Sequence, residues 1–133
     1  MNRILLAYDG SEPARRALEQ TIELAQCFNA SVGVISVVPA RSSTHAVDPW
    51  DDRTVHAQIL VDARRLLREA GIEAELLEPG GDPAKVIERV AEERGYDTIV
   101  IGTRRLNGLS RALHGSVSDH VASHATTTVV VAR

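Results

Sequence analysis

Three glycines, Gly102, Gly108 and Gly115, punctuate a stretch that carries Arg104, Arg105 and Arg111 and no acid from Gly102 to Ser118. Gly115-Ser116 stands directly before a new helical pattern. The first turn of a helix has unpaired N–H groups and a partial positive charge, so phosphate can settle there. One reading of this stretch is therefore a loop that holds the phosphates of a nucleotide. The plainer reading of Gly115-Ser116 is a helix N-cap, a common place for serine. Asp9, in Asp9-Gly10-Ser11, is a second polar group at the end of an apolar run, with a strand-ending turn former as its plainer reading.

Other chemistry is thinly supplied. Lys85 is the only lysine and lies far from the glycines, so a Walker-type phosphate loop is absent. Ser11, Ser116 and Ser118 have no His–Asp partners at a readable spacing. This leaves slow hydrolysis of a bound nucleotide open but not a fast kinase or ATPase, which needs a positioned lysine and an acid–metal pair. His120 and His124, at i and i+4, could face a metal but lack third and fourth ligands. His114 reads either as a surface residue or as a pH-sensitive phosphate contact. Arg104 and Arg111 read as solvated.

The elements that must position these residues follow from periodicity. Thr98-Ile99-Val100-Ile101 is short, β-branched and unalternating, as in a parallel strand covered on both faces, and Gly102 ends it. Residues 2–8 and 31–38 read the same way, while 72–78 alternate and so belong near a sheet edge. Residues 127–132 supply the fifth strand. Helical patterns run from Ser11 to about Asn29, from about Val55 to Ala70 with Gly71 as stop, from Asp82-Pro83 to near Gly95, and from about Ser116 to His124. The order is βαβαβαβαβ, which predicts a doubly wound α/β fold with a five-stranded parallel sheet and helices on both faces. An order of 3-2-1-4-5 would place strands one and four together at the switch point, where ligands bind beyond the carboxyl ends. Asp9-Gly10 and Gly102 would then flank one crevice. Residues 40–53 form a polar loop containing Trp50, which either anchors the next helix or covers a ligand.

Totals set outer bounds. A chain of 133 residues can bury a core as one domain, residues 1–133, without disulfide or metal. Aromatics make up only 3% of it, so the core is aliphatic and base-stacking platforms are scarce. A net charge of -3 argues against nucleic-acid binding. No apolar run reaches membrane-spanning length and the N-terminal one is too short for a signal peptide, so a cytoplasmic location is expected. Cys27 falls in the apolar pattern of the first helix and is expected to be buried and inert.

Three segments carry a resemblance: RILLAYDGSEPARRAL, GDPAKVIERVAEE and the run from Asp97 to the end, DTIVIGTRRLNGLSRALHGSVSDHVASHATTTVVVAR. Over nearly its whole length the chain resembles the universal stress protein family. In nucleotide-binding members a Gly, two residues, a second Gly, nine residues and Gly-Ser hold ATP. Here Gly102 is followed by Arg105 in place of the second glycine, and Gly115-Ser116-Val117-Ser118 is complete. The resemblance implies that Asp9 lies beside adenine or ribose and that the Val37 backbone pairs with adenine. It implies a ribose and phosphate contact at Gly102, and phosphate binding at Gly115, Ser116 and Ser118 with Val117 between them. Arg105 and Gly108 fall in the same loop. Arg105 would either narrow the pocket, replace a backbone contact with a bidentate phosphate grip, or point to water. The implied ligand is ATP, with AMP, ADP or cyclic AMP as alternatives and magnesium accompanying ATP. The implied partner is a second copy, joined through residues 127–131 between Thr127 and Val131. Some members lack ATP, so a nucleotide-free interaction module is the rival expectation.

Overall fold

The structure is a computed structural model, and it describes residues 1–38, 53–103 and 117–133. Its elements are β1 (Arg3–Ala7), α1 (Glu12–Phe28), β2 (Ser31–Ile35), α2 (Arg53–Glu69), β3 (Ala74–Leu77), α3 (Pro83–Glu93), β4 (Thr98–Gly102), α4 (Val117–His124) and β5 (Thr128–Ala132). All four strand pairings are parallel, in the order β3-β2-β1-β4-β5. The predicted doubly wound fold and strand order are therefore those observed, with β1 and β4 side by side at the switch point.

Alternation along each strand divides the core into two layers. Ile4 and Leu6 of β1 join Val32, Val34 and Val100 under α1 and α2. Leu5 and Ala7 join Ile35, Ile99 and Ile101 under α3 and α4. Both faces of the central strands are thus dry, which is why β1 and β4 read as unbroken apolar runs. The edge strand β3 alternates for the opposite reason, since Glu75 faces outward.

Caps fix where the helices begin and end. Ser11 is the N-cap of α1, its Oγ accepting from the Ala14 N–H at 3.3 Å, and Pro13 sits in the first turn. Asn29 closes that helix in the left-handed conformation, with φ 53°. Asp82 caps α3 in the same way, its side chain accepting from the Lys85 N–H at 3.4 Å.

The regular ladder of β2 stops at Ile35 rather than at Val38. The chain stays extended beyond it: Ser36 N–H donates to Leu77 O at 3.0 Å, and Val38 bridges to Gly80. Cys27 is exposed, against the expectation from its apolar neighbours. The buried face of α1 runs through Ala14, Ala17, Leu18, Thr21 and Ala25. Cys27 lies two residues past Ala25, roughly 200° around the helix, and so points away from the sheet.

The amino end of the sheet is held by a cluster that no sequence pattern announced. Tyr96 sends its hydroxyl across β2 at Gly33 to donate to Glu75 Oε2 on β3, at 3.0 Å. The Arg3 guanidinium lies over the Tyr96 ring, 4.7 Å from its centre. A methyl at residue 33 would stand 2.0 Å from the Tyr96 oxygen, so only glycine fits beneath it. Burial first, and then the Glu75 carboxylate, push the Tyr96 phenol up to about 12.

Candidate nucleotide site

The carboxyl ends of β1, β2 and β4 form the other end of the sheet, and the described members of the predicted site lie there. Asp9 follows β1 by two residues. Its Oδ1 accepts from the Ser11 backbone N–H at 2.9 Å and from the Ser11 hydroxyl. That hydroxyl in turn caps Ala14, so Asp9, Ser11 and the start of α1 form one hydrogen-bonded unit. The turn between them is made by Gly10, with φ 79°. Asp9 is therefore a turn former in this structure.

Gly102 closes β4 against the same unit. A Cβ added there would stand 2.2 Å from the Pro13 carbonyl oxygen and 2.4 Å from its carbon. The two backbones touch, so the absence of a side chain at residue 102 is a packing requirement in its own right. The sheet continues one bond further, with Thr103 N–H donating to Ala132 O at 3.0 Å. The first turn of α1 and the end of β4 thus make one rigid corner.

Val37 leaves β2 on the same edge of the crevice. Its side chain packs against the layer under α3 and α4, while Ser36 before it turns to the α1–α2 side. Val117 and Ser118 open α4, and Ser118 is buried. Arg105, Gly108, Gly115 and Ser116 lie outside the described residues, as do His114 and the loop holding Trp50. The structure thus brings Asp9, Val37 and Gly102 to adjoining strand ends, and places Val117 and Ser118 in the first turn of a helix.

Two groups near this end escaped the sequence reading. Tyr8 is buried at the end of β1, and burial raises its phenol, with Arg15 beside it pulling the other way. His56, in the first turns of α2, is buried against Ser36, Nδ1 to Oγ 2.7 Å. The only signal for His56 was a histidine at the apolar spacing of Ile59, Leu60 and Ala63.

His120 and His124 lie one turn apart on α4. Their rings stack, with centroids 4.3 Å apart, and His120 Nδ1 lies 3.2 Å from Glu88 Oε1 on α3. Among the described residues no three His, Cys, Asp or Glu side chains converge as metal ligands.

A doubly wound sheet of this order, with its crevice at the β1–β4 switch, defines a class of α/β domains that bind ligands at strand ends. The model of the universal stress protein family matches residues 1–133, and the chain belongs to that family. It is 31% identical to universal stress protein YxiE of Bacillus subtilis over 99% of both chains. A universal stress protein solved in complex with cAMP superposes with a TM-score of 0.82, at 22% identity over 99% of this chain and 97% of that one. The universal stress protein of Archaeoglobus fulgidus solved in complex with dAMP is 28% identical, with a TM-score of 0.72, over 100% of this chain and 98% of that one.

Proposed function

We propose that this chain binds an adenine nucleotide, ATP in the cell, as a stress-response sensor or regulator. The observation that supports this most is its end-to-end likeness to the Archaeoglobus protein solved with dAMP. In this reading adenine pairs with the Val37 backbone, Asp9 lies by the base or ribose, and the Gly102 corner meets the ribose and first phosphate. The remaining phosphates rest on Arg105, Gly108, Gly115 and Ser116 and on the α4 start at Val117 and Ser118. Arg105 substitutes a guanidinium for a glycine backbone, and a guanidinium suits phosphate oxygens.

A helix start reads charge more than phosphate number, so AMP, ADP and cyclic AMP compete for the same cradle. Magnesium would be carried by the phosphates, since the described residues supply no carboxylate cluster for it. Binding rather than turnover is the expected role, because the single lysine lies in the first turn of α3 and outside the glycine loop. At most, hydrolysis is slow.

The same reading makes the protein a cytoplasmic homodimer joined through residues 127–131. β5 is an edge strand, and Val131 on it is 39% exposed, among the few large apolar side chains left open on the described surface. An edge of β-branched residues is a template for pairing with a second strand. That edge also supports a second reading, a partner-docking module that acts without nucleotide.

Isothermal calorimetry with ATP and AMP tests the proposal. Saturable binding to the natural sequence is expected, with a loss of about tenfold or more in Gly115→Leu and in the double variant Ser116→Ala, Ser118→Ala, as when one or two charge-assisted hydrogen bonds are removed. Equal affinity in the natural protein and both variants would refute this placement. No binding at all, together with a nucleotide-free native mass spectrum, would favour the docking module.

A further inference from the structure

One buried polar pair has no part in the scheme above. Ser36 is 2% exposed and His56 7%, and their side chains meet at 2.7 Å through His56 Nδ1. The far nitrogen of the ring, Nε2, is closed to solvent and has no hydrogen-bond partner among the described residues. Proton accounting selects the tautomer. If Nδ1–H donated to Ser36, the Ser36 hydroxyl hydrogen and the Nε2 lone pair would both be stranded. If Ser36 donates to Nδ1, the one stranded donor is Nε2–H. Unmade buried hydrogen bonds are costly, so the second arrangement prevails. The ring then offers a fixed N–H donor with no acceptor among the described residues.

Its position gives that donor a meaning. Ser36 directly precedes Val37, where the base is proposed to pair. Ile59, three residues after His56 on the same face of α2, packs at the β1–α1 turn, where a methyl on Gly10 would lie 3.4 Å from its Cγ1. One helical stretch therefore touches both segments that flank the proposed base and sugar positions. Leu60, one turn on along α2, belongs with Tyr8 and Val34 to the buried apolar layer on this side of the sheet. A neutral donor in such a wall suits an uncharged heterocycle better than a phosphate, whose charge would need several donors.

We propose that His56 Nε2–H donates a hydrogen bond to a ring nitrogen of the bound purine, with Ser36 fixing the imidazole tautomer. This rests on the nucleotide reading above and deepens it by naming a residue that selects the base. The competing occupant of the donor is a single buried water.

The test uses AMP and its 1-deaza, 3-deaza and 7-deaza analogues, each of which replaces one acceptor nitrogen by C–H. In calorimetry the natural protein should bind one analogue about three- to tenfold more weakly than AMP, the range of one neutral hydrogen bond. His56→Leu should bind AMP that much more weakly and no longer distinguish the analogue. His56→Gln, which can place an N–H near the same point, should restore part of the difference. Proton-detected 15N spectra of the imidazole should show Nε2–H shifting on addition of AMP, a readout that survives if the Leu variant fails to fold.

Equal binding of AMP and all three analogues, or a His56→Leu protein that discriminates against every analogue as strongly as the natural one, overturns the contact while leaving nucleotide binding intact. An Nε2–H signal that does not move with AMP indicates water alone and overturns it too. Failure of the natural protein to bind AMP saturably overturns the nucleotide reading, and this contact with it.

Discussion

Replacing Gly102 with alanine adds one methyl at the point where β4 meets the first turn of α1. The new carbon would lie 2.2 Å from the Pro13 carbonyl oxygen, 2.4 Å from the carbonyl carbon and 2.9 Å from the Ala14 nitrogen. Ordinary van der Waals contact begins at 3.4 Å, so the two backbones must part by about an ångström. All three atoms are backbone, so no side chain can rotate away. Overpacking of this kind costs about 1–3 kcal/mol. The backbone at Gly102 is not left-handed, so the whole cost is steric and none is lost glycine freedom. In urea the midpoint should fall by about 0.3–3 M at an unchanged slope, given slopes of about 1–3 kcal/mol per molar. Nucleotide affinity should fall with stability, because the corner that moves lies between Asp9 and Gly102. A Gly102→Ala protein within about 0.5 kcal/mol of the natural one, the usual range for an indifferent surface change, would refute the packing argument.

Three further outcomes are expected. The chain has two tyrosines, both raised, so the native protein should form tyrosinate at higher pH than the denatured chain, with Tyr96 titrating at about 12. Because the folded value of Tyr96 exceeds the unfolded one, its contribution to stability is complete below pH 10 and is lost as the pH rises from 10 to about 12; a native titration centred at 10 would contradict this. Val131→Asp should shift a homodimer toward monomer in analytical ultracentrifugation without unfolding it, since Val131 is exposed on an edge strand, and an unchanged association constant would remove β5 from the interface. Cys27 should react with a thiol reagent in the folded protein about as fast as in the denatured chain, and protection by folding would contradict its exposure.

Much of the fold was legible because its signals are local. Unalternating runs at Ile4–Ala7 and Thr98–Ile101 belong to strands dry on both faces, and the alternation at Glu75 belongs to an edge. Ser11-Glu12-Pro13 and Asp82-Pro83 marked helix starts because capping involves residues three apart. What escaped depends on contacts between distant segments. Gly102 was assigned to a ligand, yet its glycine is already required by Pro13, 89 positions away in sequence. The Tyr96–Gly33–Glu75 crossing joins three elements, and Ser36–His56 joins two, with no spacing rule to announce them. Cys27 was misplaced for a different reason. Its neighbours were read as a run, when the angular positions of Ala17, Leu18, Thr21 and Ala25 already put it on the outer side.

The switch-point rule made the placement legible, with Asp9 and Gly102 at the adjoining ends of β1 and β4. The Arg105 corner, with Gly108, Gly115 and Ser116, falls outside the described residues, so its contribution rests on solution experiments.

The most direct test of the central claim is an amide chemical-shift titration of the natural protein with ATP. The account predicts saturable shifts at Asp9, Gly10, Val37, Val38, Gly102, Thr103, Val117 and Ser118, with Asn2, Gly33, Glu75 and Asp97 at the opposite end of the sheet unmoved. Shifts confined to that opposite end, or none at millimolar ATP, would contradict it.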